Sequence, residues 1–131
     1  MARLVSRAFD AALAEAGGSL PTWLVLLTLK SRPVANQREL AAAVGIQGAT
    51  LTHHLNAMES DGLLTRRRDP ANRRVHLVEL TEDGEATFHR LRGVAMGHDA
   101  RLRAGFTEPE LDTLRALLDR LRTNIAEPVP T

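Results

Sequence analysis

The sequence contains no cysteine, which removes disulfides, thiolate metal sites, thiol redox sensing and cysteine nucleophiles together. Tyrosine is also absent, and the only aromatic rings besides histidine are Trp23, Phe9, Phe88 and Phe106. Serial stacking on single-stranded bases is therefore not how this chain would hold a nucleic acid. No run approaches the ~18 apolar residues of a membrane span. The first residues mix apolar and charged side chains at helical spacing, unlike a signal-peptide layout. The expectation is a cytoplasmic protein with no membrane partner. The metalloprotease pattern H-E-x-x-H, the nucleophile elbow G-x-S-x-G and a glycine-rich phosphate loop are missing as well. Five histidines are present, but His53 and His54 are adjacent and point about 100° apart on a helix. His89 and His98 fall on different faces of theirs. Neither pair suits a chelate or an acid–base site, so no catalysis, metal or cofactor is expected.

What remains is a single-domain length of 131 residues, enough for one modest core. The formal net charge of +1 conceals a concentration. Between residues 66 and 74, Arg66, Arg67, Arg68, Arg73 and Arg74 face only Asp69. A basic patch on a nearly neutral chain suits a localised polyanion contact.

Periodicity divides the chain. Leu4, Val5, Ala8, Phe9, Ala12 and Leu13 make an amphipathic helix that Gly17-Gly18 ends. Ser19 caps a mostly apolar second helix with Pro21 in its first turn, ended by Arg32-Pro33. Asn36 and Glu39 start a third helix in capping-box fashion, and Gly45 stops it. A fourth runs from about Gly48 to Ser60, with Leu51, His54, Leu55 and Met58 on its inward face. There His54 reads as a hydrogen-bonded core histidine. The period then becomes two: residues 63–68 and 74–80 read as strands joined by Asp69-Pro70-Ala71-Asn72. Thr81 caps a fifth helix, in which Gly93 and Gly97 suggest a bend or a close crossing. Thr107 and Glu110 open a sixth, carrying Leu111, Leu114, Leu117, Leu118, Leu121 and Ile125. Such an aliphatic stripe is more than a chain of this size covers by itself, so a homodimer is expected. The fold class is mainly α with a small β-hairpin (α+β), in the order of a winged helix-turn-helix domain plus further helices.

A helix that enters the major groove needs one apolar face for its own domain and small or hydrogen-bonding residues on the other. Gln47, Gly48, Ala49, Thr52, His53 and Asn56 supply the second face. Gln and Asn amides can pair bidentately with adenine, and Ala and Thr methyls can meet the thymine methyl. Slim Gly48 and Ala49 let the first backbone N–H groups approach a phosphate. Period two places Arg66 and Arg68 on one strand face and Arg67 on the other. Arg66, Arg68 and Arg73 are expected on phosphates, and Arg67 in solvent.

The stretch from Arg38 to Gly84 closely resembles the MarR family of bacterial regulators. Glu39-Leu40-Ala41, Gly45, Thr50-Leu51-Thr52, Met58-Glu59, Gly62-Leu63, Arg67-Arg68-Asp69-Pro70, Arg74 and Leu80-Thr81 with Gly84 all fall in the family's register. The resemblance covers the middle third of the chain; the flanking helices agree in number and order. It implies a single domain over 1–131. Within it, a winged helix-turn-helix lobe would occupy about 20–80, and a helical dimerisation region about 1–17 and 81–126. It implies a transcriptional regulator of double-stranded DNA, a repressor released by a small molecule. As a homodimer it would bind a pseudo-palindromic operator. It adds Thr50 to the DNA-binding set and implies that Arg74 enters the minor groove, braced from position 72. That position is Asn72 here where the family usually has Asp, so Asp69 becomes a second candidate brace. His53 stands where the family often has Arg. Candidate walls for a small-molecule effector are Phe9, Trp23, Leu27 and Met96, although each suits plain core better. The alternative is a DNA-binding regulator or architectural protein with no ligand.

Overall fold

The computed structural model describes residues 2–126. In chain order the elements are α1 (Ala2–Glu15), α2 (Leu20–Ser31), β1 (Val34–Asn36), α3 (Gln37–Val44) and α4 (Gly48–Ser60). There follow β2 (Leu64–Arg68), β3 (His76–Leu80), α5 (Glu82–Arg103) and α6 (Glu108–Ala126). The chain is mainly helical with a small sheet, as expected.

Local chemistry sets the helix ends. The Ser19 hydroxyl accepts the Thr22 N–H at 3.3 Å, with proline inside the first turn of α2. Asn36 Oδ1 accepts the Glu39 N–H at 2.8 Å, and its Nδ2 donates to Glu39 Oε1 at 2.6 Å. Gly45 closes α3 at a φ of 78°, a left-handed value that side chains disfavour. Thr107 and Glu110 form the expected reciprocal box at the start of α6, with bonds of 2.8 and 3.3 Å. Those bonds from Thr107 hold the Glu110 carboxyl below its usual range.

The expected two-stranded hairpin is one strand short. The sheet is antiparallel in the order β1-β3-β2, with Ala35 opposite Val78 on one side of β3 and Arg66 opposite Val78 on the other. A strand of three residues is too short to display a period of two, and its last residue already serves as the cap of α3. The third strand also begins at His76 rather than at position 74. Asp69 N–H bonds Val75 O at 2.9 Å, and Val75 N–H bonds Asn72 O at 2.9 Å, so that stretch is turn.

By compactness the chain divides into two units, between His98 and Asp99. In the first, one core draws on α1 through α5: Leu13, Leu26, Leu40, Leu55, Leu64 and Leu91 are all essentially inaccessible. Trp23 stacks on Phe88 with centroids 5.6 Å apart, tying α2 to α5. Thr81 stitches the start of α5 to the start of the hairpin. Its hydroxyl donates to Gly62 O at 2.6 Å and accepts the Gly84 N–H at 3.0 Å, while its own N–H bonds Leu63 O at 3.1 Å. At Gly84 the backbones approach so closely that a Cβ would overlap the Leu63 carbonyl oxygen. Gly93 and Gly97 have nothing within 4 Å of their Cβ positions, and α5 continues unbroken through both.

In the second unit, none of the residues of α6 is buried. Leu114, Leu117, Leu118, Leu121 and Ile125 are all exposed, at the helical spacing of a single stripe. Phe106, Pro109, Leu114 and Leu117 line a shallow apolar cleft of about 420 Å³ at its beginning. Among the described residues no single helix is long and apolar enough to cross a membrane.

Candidate nucleic-acid interface

Helix α4 is anchored by Leu51, Leu55 and Met58, all buried, and this fixes which residues face outward. Gln47, Gly48, Ala49, Thr50, His53 and Asn56 are exposed, and Thr52 is half-buried. Gln47 occupies the N-cap without a side-chain capping bond, so the first-turn N–H groups of α4 stay available to an anion. The Thr52 hydroxyl donates to Gly48 O at 2.9 Å and receives Gln37 Nε2 at 3.4 Å. Its methyl is then the group left for base contact. His54 is only half-buried and meets His53 edge-on at 5.9 Å, rather than lying hydrogen-bonded in the core. The inward face of α4 ends at its leucines, and position 54 sits on the boundary.

The wing departs from expectation in four side chains. Arg66 does share a strand face with Arg68, but that face also carries buried Leu64 and turns toward α4. Its side chain is accordingly only 18% exposed, and its guanidinium donates to Glu59 Oε1 at 3.0 Å and to Asn56 Oδ1. It is held, not free for phosphate. Hydrogen bonding and charge from Arg66 keep the Glu59 carboxyl below its usual range. Arg68 Nη1 donates to Arg73 O at 3.1 Å, so this side chain supports the wing turn rather than projecting from it. Asn72 and Asp69 do not brace the Arg74 guanidinium. Asn72 Oδ1 accepts the Arg74 backbone N–H at 3.2 Å, and Asp69 Oδ1 accepts the Ala71 N–H at 2.8 Å. Both are Asx-type turns, in which a short polar side chain bonds the backbone two residues on. They shape the loop that presents Arg74. Arg67 faces outward as expected, though paired with Glu79 at 2.8 Å.

Arg73 and Arg74 are exposed. Arg74, Asn72 and His76 form one wall of an open cleft of about 460 Å³, whose other wall is Asn36, Gln37 and Arg38 at the start of α3. Two arginines and the positive end of a helix thus converge on one concavity, beside the exposed face of α4. Gln37, Arg38, Glu59 and His76 belong to this region but are not among the site residues expected from the sequence. For Gln37 and Arg38 a signal existed, since they follow the Asn36 cap directly; Glu59 stands out only as a match to the family's register, and His76 not at all.

The fold has relatives. The MarR family model matches residues 19–76. A transcriptional repressor, CouR, solved bound to a 23-mer DNA duplex, is 32% identical. The alignment covers 92% of this chain and 87% of that one, with a TM-score of 0.82. The chain belongs to the MarR family. It is a DNA-binding transcriptional regulator with a winged helix-turn-helix fold, and not an enzyme. A second solved structure, the PcaV transcriptional regulator from Streptomyces coelicolor in complex with its natural ligand, is 25% identical. It covers 96% of this chain and 91% of its own, at a TM-score of 0.81. A mutant MarR from E. coli complexed with operator DNA shares the fold at 22% identity and a TM-score of 0.81, covering 91% and 86%.

The four candidate effector walls have different surroundings. Trp23 is 8% exposed and part of the core, Phe9 is half-buried, and Leu27 and Met96 are exposed, the latter at 58%. Phe9 stacks on His98 at 5.0 Å, and His98 Nε2 is buried without a hydrogen-bond partner among the described residues. The sequence offers that histidine only in a pair with His89 that suits neither a chelate nor an acid–base site; no metal-binding cluster occurs among the described residues.

Proposed function

We propose that the protein is a cytoplasmic, homodimeric transcriptional repressor that binds a pseudo-palindromic operator and is released from it by a small molecule. The observation that carries the DNA-binding geometry is the arginine-lined cleft between α3 and the wing, adjoining the exposed polar face of α4. In this reading Gln47, Gly48, Ala49, Thr50, Thr52, His53 and Asn56 face the major groove. The α3 N-terminus, Arg38 and Arg73 meet phosphates, and Arg74 enters the minor groove. Residues of about 20–80 form the DNA-binding lobe, and α1, α5 and α6 provide the dimer contacts. The uncovered stripe of α6 supports the dimer, and the repressor reading follows the CouR relative. Release by a ligand follows the PcaV relative. Phe9, Trp23, Leu27 and Met96 remain the proposed walls, and an aromatic acid is the proposed effector class.

Arg74→Ala tests the wing. An arginine in a narrow A·T-rich groove responds to the enhanced negative potential there. The variant should therefore lose about 1–3 kcal/mol of affinity for A·T-flanked sites and little for G·C-flanked ones. Arg73→Ala should instead weaken both about equally and lower the salt slope by roughly one. Titrations of each variant against both duplexes at two salt concentrations read the difference. Equal binding of both duplexes by Arg74→Ala, at wild-type strength, contradicts the minor-groove role. In the same titration, an added phenolic acid that dissociates the complex supports release by a ligand.

A further inference from the structure

The amide of Asn56 is not free to choose what it shows a base. A guanidinium only donates, so the Asn56 atom turned toward Arg66 must be Oδ1. Glu59 in turn grips Arg66 twice: Oε1 accepts the guanidinium at 3.0 Å, and Oε2 accepts the Arg66 backbone N–H at 3.1 Å. Asn56 and Glu59 lie three residues apart on α4, and Arg66 lies on β2. The three side chains therefore link the recognition helix to the wing.

We propose that Glu59 is a specificity-positioning residue: by holding Arg66 it fixes the direction of the Asn56 Oδ1, so that this amide meets a base through its hydrogen-bond donor and selects guanine or thymine over adenine. The inference rests on α4 being the recognition helix. Guanine offers O6 and N7 and thymine offers O4, all acceptors. Adenine places the N6 donor beside its N7 acceptor, and pairing with it bidentately requires Oδ1 to face N6–H, whereas Arg66 already holds one lone pair of that oxygen and turns it toward β2. Charge assistance makes the Glu59–Arg66 bonds roughly twice as strong as neutral ones. Glu59→Gln keeps the size and an acceptor of this side chain but removes the charge.

The test is selection from a randomised duplex pool by the full chain, by Asn56→Ala and by Glu59→Gln, with the melting temperature of each recorded. The base position that Asn56 reads is the one that loses its preference in Asn56→Ala. There the wild type should favour guanine or thymine over adenine by about fivefold or more. In Glu59→Gln adenine should rise to parity or above, with the rest of the consensus unchanged. A Glu59 that only supports the fold would lower melting temperature or overall affinity and leave the base choice intact; that result overturns the proposal. A wild-type preference for adenine at that position overturns it too. A sharp consensus that Asn56→Ala leaves unaltered overturns it while sparing the recognition-helix reading. Absence of any consensus with the wild type removes both.

Discussion

Replacing Leu117 and Leu121 together by glutamate is expected to turn a dimer into a monomer. Both side chains lie mid-stripe on α6 and are about half or more exposed in the isolated chain. Burying an aliphatic side chain of this size contributes about 1.5–3 kcal/mol. Placing unpaired carboxylates in the same apolar contact would cost several kcal/mol more. The dimer dissociation constant should then rise by a factor of about a thousand or more. Sedimentation at micromolar concentration should give the 14.3 kDa chain mass for the variant and about twice that for the wild type. DNA affinity should fall with it, because two linked reading heads bind more tightly than one by about a hundredfold or more. The helices of the core should stay intact, since α6 contributes none of the buried residues, whereas α6 itself loses its packing partner and should fray. A wild type that sediments as a monomer contradicts the dimer.

Gly84→Ala should have the largest effect on stability. In an ordinary helix interior this change would stabilise by about 1 kcal/mol. Here the added Cβ meets the Leu63 backbone and lies 3.1 Å from Leu80 Cδ2, and a main-chain carbonyl cannot swing aside as a side chain can. Moving it would also strain the bond from Thr81 N–H to the same carbonyl oxygen. The overlap should outweigh propensity and destabilise by about 3 kcal/mol. That corresponds to a fall in melting temperature on the order of 10 °C. Gly93→Ala, in the same helix with open space at its Cβ, supplies the control and should be neutral or stabilising. If both variants melt alike, the close approach at residue 84 is not limiting.

These two positions also show what can be read from a sequence here. The run Leu80-Thr81 with Gly84 was visible as spacing, yet its reason is a three-way contact among residues 62–63, 81 and 84 that only the folded chain reveals. The caps at Ser19, Asn36 and Thr107 were legible because capping is local chemistry within three residues. The apolar and polar faces of α4 were legible because burial follows the helical period. Strand β1 was not, since three residues display no period. Alternation along β2 correctly grouped Arg66 with Arg68 but could not say that α4 lies over that face. A partner on another element, Glu59 of α4, therefore changed the role of Arg66 from phosphate contact to internal brace. Likewise Asn72 sits where a brace for Arg74 was expected, but its oxygen is committed to the Arg74 backbone rather than to the guanidinium. Local spacing thus revealed elements and faces; side-chain partners depended on how separate elements pack.

The Glu59–Arg66 pair also carries a pH sign. A carboxyl whose folded pKa is lowered contributes fully above its ordinary range, and the contribution fades as pH falls through the lowered value. The restraint on Asn56 is therefore intact at neutral pH.

In the proposed dimer, two copies of this chain read DNA symmetrically through α4 and the wing. Footprinting of the full chain on its selected duplex tests that most directly. Two recognition helices on one side of a duplex enter successive major grooves, so protection should cover two inverted half-sites with centres about 10 base pairs apart. Protection of one asymmetric half-site, or coverage that ignores sequence, would contradict it.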